Sequence, residues 1–191
     1  EKAEKTPPAA RKDAWRQLAA RAAAAVVKSV APGKDGTDAL GRAEALVQRY
    51  GFLADTRPFP EARDEAVLAA AGRCQDLGDD CWKRLGAWEP KLTPAGSLAL
   101  GRFLRKAGFV AWRPMPLFAR AVSEPAACRD PDVLASTLAS LDTPEDSPAA
   151  IAARQVAFER CWDVMKPALQ ESLRGASSYR LRNACAAMRA K

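Results

Sequence analysis

The chain has 191 residues, five cysteines and no histidine, with a formal net charge of +7 and a pI near 9.4. Without histidine the usual Ser-His-Asp and Cys-His nucleophiles and the mixed Cys/His zinc sites are excluded. Cys74, Cys81, Cys128, Cys161 and Cys185 are many thiols for a reducing cytosol, so the composition points to an oxidising compartment and to a binding or scaffolding protein.

The hydrophobic fraction of 48% is largely alanine, and aromatics supply only 7%, so the core is expected to consist of closely approaching helices. No apolar run reaches the roughly 18 residues of a membrane span; Ala19 to Val30 comes nearest and is split by Arg21 and Lys28. Residues 1–8, charged and ending in Pro7-Pro8, read as a flexible leader or the remnant of a removed signal, ahead of a single all-helical domain over 9–191. Residues 1–60 carry eleven cations against seven anions and residues 61–121 ten against seven, whereas 122–191 carry nine of each.

The first helix is expected from about Ala9 to Val30, with Trp15, Leu18, Ala22, Val26 and Val30 at helical spacing as its core stripe and Pro32-Gly33 as its stop. Thr37 or Asp38 caps a second, which carries Leu40, Ala43, Leu46, Val47 and Tyr50 and closes at Gly51. Arg57 to Pro60 reads as a loop, and a third helix runs from about Glu61 to the stretch between Gly72 and Leu77. Gly78 suits a left-handed stop before a short fourth helix that starts at Asp79 or Asp80 and ends by Pro90.

Thr93-Pro94, Asp130-Pro131, Thr143-Pro144 and Ser147-Pro148 repeat one helix-start signal, a capping oxygen followed by a proline whose missing amide is not needed at N1. Pro94 opens a fifth helix ending at Gly108, and Pro114 and Pro116 bracket a crossing before a short helix over Leu117 to Val122. Asp130 caps a helix with Val133, Leu134, Thr137, Leu138 and Leu141 on one face. The last long helix begins near Pro148, and Pro167 is expected to kink or break it before a terminal helix over Ser177 to Met188. No segment alternates with period two, so the fold class is all-α: about eight or nine helices in antiparallel hairpins, in a compact bundle or a short helical-repeat-like stack. Trp82 to Gly86 matches the Trp-x-x-Leu-Gly opening of a tetratricopeptide helix, but Glu89 stands where tyrosine is required, so no functional residue is carried over.

Cys74 and Cys81 flank the turn between the third and fourth helices, where a disulfide would staple the hairpin. Cys161, on the stripe Ile151, Phe158, Trp162 and Met165, and Cys185, on Leu181, Ala184 and Met188, both point at the core and form the next pair. Cys128 could displace either of those two, and one thiol is left over. The competing reading keeps several of the five as buried thiols that act as small hydrophobes.

No catalytic, cofactor-binding or metal-binding residues are expected. Ser-x-x-Lys and the glycine-rich phosphate loops are absent, the Cys-x6-Cys spacing is not that of a zinc knuckle, and Asp79, Asp80, Glu159 and Asp163 read as helix-cap and surface ion-pair residues. Residues 90–123 hold no acidic residue while carrying six cations interleaved with Phe103, Phe109, Trp112 and Phe118. Arg102, Arg105, Lys106, Phe109, Trp112 and Arg113 are therefore the expected partner-binding residues, tryptophan and arginine being the types most enriched at interface hot spots. The leading expectation is a non-enzymatic exported protein, periplasmic or envelope-associated and bacterial in composition, that binds a protein partner, an acidic one included, in a scaffold or adaptor role. It has no transmembrane segment, and a membrane surface would be reached through a lost lipid anchor, as in a lipoprotein. The alternative is an intracellular nucleic-acid-binding domain that uses stretch 90–123.

Overall fold

The computed structural model describes residues 9–30, 37–77, 79–109, 113–142, 147–174 and 178–189. Among them are ten α-helices, four short 3-10 turns and no strand, so the chain is all-α. The leader 1–8, Pro32-Gly33, Gly78, Trp112 and Thr143-Pro144 lie outside the described residues. The chain forms two compact units, residues 1–93 and 94–191.

In the first unit α1 (Ala9–Ser29) and α2 (Asp38–Arg49) pack on α3 (Phe59–Leu77), and α4 (Asp79–Gly86) returns against α3. The core face of α1 is not the expected stripe. Ala20, Ala23, Ala24 and Val27 are buried, at i, i+3, i+4 and i+7, while Trp15, Leu18, Ala22 and Val26 are exposed. The reason lies in α3, which buries Ala62, Ala66, Val67, Ala70 and Ala71, because two helices meeting through alanines come close and leave no room for a tryptophan between them. Lys28 and Glu65 close one edge of this contact with a 2.7 Å ion pair.

A 3-10 turn, Gly51–Asp55, follows α2 and buries Leu53. The loop expected over Arg57 to Pro60 is shorter than the sequence suggests, since α3 already starts at Phe59, a fully buried ring. Burying a side chain of that size contributes about 1.5–3 kcal/mol, enough to fix where the chain enters the helix. At the far end of α3, Cys74 is bonded to Cys81 of α4, with Cα atoms 5.2 Å apart.

In the second unit α5 (Pro94–Lys106) packs on α6 (Met115–Ala121), and α6 on α8 (Pro148–Arg160). Met115, Phe118, Val133, Phe158, Met165 and Leu169 are central to its core. Two of the helix-start signals act by the expected chemistry. Asp130 caps α7 (Pro131–Ala139) by accepting from Asp132 N at 2.9 Å and Val133 N at 3.2 Å, and Ser147 caps α8 through Ala150 N at 3.2 Å.

The break expected at Pro167 falls earlier, at Cys161, which ends α8 and opens α9 (Trp162–Ser172), and Pro167 sits inside α9. Cys161 is bonded to Cys128 of the 3-10 turn Pro125–Arg129, again with Cα atoms 5.2 Å apart. The Cys161–Cys185 pairing is therefore corrected: Cys185 is a free, exposed thiol on α10 (Ser178–Arg189). On that helix Ala184 faces the core, and one residue further, about 100° round the axis, points Cys185 to solvent. Ile151 and Leu181, expected on core stripes, are likewise exposed. Instead α8 buries Arg154, whose guanidinium donates to Ser140 O at 2.8 Å, and α10 docks through Asn183 on Leu141 O at 2.9 Å and Arg180 on Leu138 O at 3.2 Å.

Candidate functional site

The described residues among those predicted to bind a partner, Arg102, Arg105, Lys106, Phe109 and Arg113, all belong to the second unit. Leu100 and Leu104 bury one face of α5, which turns Arg102, Arg105 and Lys106 outward as the spacing predicts. Two of the three cations do not stay open to an outside anion. Arg102 bonds Asp130, and Arg105 bonds Asp132, both carboxylates standing at the start of α7. Asp130 thus serves the helix cap and the ion pair together, and the acidic residues that stretch 90–123 lacks are supplied by the next helix. Lys106 is exposed, Phe109 and Arg113 are half-buried, and Trp112 falls outside the described residues.

A buried charged group of the first unit is structural in character. Asp64 accepts from the backbone N of Thr93 at 3.2 Å and from its hydroxyl, which fixes the chain just before α5 to α3. Burial raises the Asp64 carboxyl above its ordinary value, with the Thr93 bonds and Arg63 opposing. Burial likewise lowers Arg63, against the attraction of Asp64, Asp55 and Glu61. Among the described residues no group of three or more carboxylates or cysteines is placed to hold a metal ion, and no helix is long and apolar enough to cross a membrane.

The surface that the sequence does not reveal lies in the first unit. Because Ala20, Ala23, Ala24 and Val27 take the core face of α1, its outer side forms one wall of an open groove: Trp15, Ala19, Ala22 and Val26, with Lys12 and Arg16. Leu46 of α2 and Tyr50, Phe52 and Leu53 beyond it supply the other lining, around a volume of about 720 Å³. Trp15 is 65% exposed and Tyr50 43%, high values for the two largest apolar groups of the groove. The aromatic side is ordered by its own contacts. The rings of Tyr50 and Phe52 lie 6.5 Å apart, Arg16 stands 5.9 Å over Phe52, and Arg49 stands 5.4 Å over Tyr50.

Among the described residues the groove has an amphipathic chemistry with one sign of charge, its charged lining residues being Lys12 and Arg16. Sequence reasoning assigns Trp15 to the core because its spacing is helical. The available signal is that α1 carries two apolar stripes, and a helix with two such stripes has one more than its own unit buries. Comparison with protein-family models, curated proteins and solved structures finds no match to this chain.

Proposed function

We propose that this chain is a non-enzymatic, exported binding module, acting in the periplasm or cell envelope as a scaffold or adaptor for another protein. The observation that carries the reading is the exposed aromatic groove of α1 and α2, in which Trp15, Tyr50 and Phe52 present apolar surface beside arginines. Trp, Tyr and Arg are the residues that dominate binding energy at protein interfaces. The disulfides Cys74–Cys81 and Cys128–Cys161 support an oxidising location. The pairing of Arg102 and Arg105 with Asp130 and Asp132 weighs against nucleic acid as the partner, because a phosphate backbone would compete with carboxylates already in place.

Site-specific photocrosslinking in the producing cell tests this. A photoreactive residue is placed in turn at Ala22 and Val26 in the groove and at Lys106 and Arg129 elsewhere. Discrete protein adducts in the envelope fraction are the expected result. Absence of adducts at every position, or recovery of the chain in the cytosol with five free thiols, would sink the reading.

A further inference from the structure

We infer that the groove between α1 and the α2 end takes an amphipathic helix of a partner protein, its apolar side against Trp15 and Tyr50 and its flanks acidic. The inference rests on the protein-binding reading and specifies the partner's chemistry.

Length, shape and charge select this occupant. From Trp15 to Val26 the α1 wall rises through eleven steps of about 1.5 Å, roughly 16 Å in all, which matches three turns of a docked helix. Ala19, Ala22 and Ala23 lie between those two large residues and give the wall a shallow middle, while aromatics enter from Tyr50 and Phe52 on a different element. A two-sided groove of this kind suits the anchors at i, i+3, i+4 and i+7 of an amphipathic helix. A surface that lies on lipid instead projects its apolar groups from one face.

Lys12 and Arg16 then set the partner's sign. Among the described residues neither forms an ion pair with a carboxylate and no carboxylate lines the groove. An acidic flank gains two opposite charges there, whereas a second copy of this chain brings a net charge of +7 to a surface already positive. Residues 1–8 contain no large apolar side chain with which to fill the groove themselves.

The test uses the full, oxidised chain and two fluorescein-labelled fourteen-residue model peptides (a length of about four turns). Both carry leucines at helical i, i+3, i+4 and i+7 spacing, one with glutamates on its flanks and the other with lysines. The glutamate peptide is expected to bind at least tenfold more tightly by anisotropy, with the order reversed by Lys12→Glu/Arg16→Glu. Trp15→Ser is expected to weaken its binding at least tenfold while leaving the unfolding curve in place.

Equal binding of the two peptides, or no binding of the glutamate peptide, would overturn the inference. So would binding to vesicles of phosphatidylglycerol and phosphatidylcholine that Trp15→Ser abolishes while the peptides are ignored, or a dimer that Trp15→Ser dissociates. If the peptide fails while crosslinked adducts at Ala22 and Val26 persist, the acidic-helix chemistry alone is rejected. If adducts are missing at every surface position, the protein-binding reading beneath it goes too.

Discussion

The ring of Phe118 occupies the space that a side chain at Gly101 would need: a Cβ there would stand 2.5 Å from Cε1 and 2.9 Å from Cδ1. Phe118 is fully buried and central to its unit's core, so the ring has nowhere to retreat. Gly101→Ala is expected to destabilise the second unit by about 1–3 kcal/mol through overpacking. Gly41→Ala is the opposite case, because a Cβ there would meet no other part of the described residues within 4 Å beyond its own helix. It is expected to add about 0.5–1 kcal/mol to the first unit. Urea unfolding of the two variants decides both signs.

Thiol chemistry checks the pairing. The native chain, denatured without reductant, is expected to show one reactive thiol, and alkylation followed by peptide mapping is expected to place it at Cys185. The disulfides also differ in what they close, with sequence separations of 33 and 7. In the chain-entropy description these loops correspond to about 4 and about 2 kcal/mol, so Cys128→Ala/Cys161→Ala is expected to lose more stability than Cys74→Ala/Cys81→Ala. A larger loss from the hairpin pair would contradict that ordering.

Asp64 gives the first unit a pH dependence of definite sign. Its carboxyl is raised in the folded state by burial, so the favourable contribution is complete below the ordinary carboxylate value and fades as pH rises through the raised one. Asp64→Asn removes that titration and keeps an acceptor for Thr93. Between about pH 4 and neutrality the wild-type Tm is expected to fall relative to that of Asp64→Asn. A difference that stays flat over this range, or moves the other way, would show that burial does not raise the Asp64 carboxyl.

Asp130 and Asp132 mask Arg102 and Arg105 of α5, which makes polyanion binding a measure of their pairing. Asn caps a helix about as well as Asp, so Asp130→Asn/Asp132→Asn leaves α7 capped while releasing Arg102 and Arg105. This variant is expected to elute from heparin at higher salt than Glu159→Gln/Asp163→Asn, which removes the same charge from exposed positions. Equal elution would mean that the pairs do not hold the arginines in solution.

Trp15 and Leu40 test which side of the first unit is core. Trp15 is 65% exposed and Leu40 is 1% exposed. Trp15→Ser is expected to change stability by no more than about 0.5 kcal/mol, against about 2–5 kcal/mol lost in Leu40→Ala. A comparable loss from Trp15→Ser would return that residue to the core.

Local chemistry was the readable part of this chain. Pro94, Asp130-Pro131 and Ser147-Pro148 start helices where they stand, because a fixed proline φ and a capping oxygen act within three residues of each other. The Cys74–Cys81 staple was legible for the same reason, its two ends lying either side of one turn. Pro167 misled because a proline can sit within a helix when the loss of one hydrogen bond is offset by packing on either side, as at Met165 and Leu169.

The sequence by itself determined an all-helical chain, the outward turn of Arg102, Arg105 and Lys106, and the exclusion of histidine chemistry. Only the tertiary structure decided that Asp130 and Asp132 meet those arginines, that Cys161 bonds Cys128, and that the alanines of α1 take the core while Trp15 lines a groove. The periodicity of a helix says which residues share a face, but which face is buried depends on the element that packs against it. For α1 that element is α3, whose alanines admit other alanines and leave the tryptophan outside.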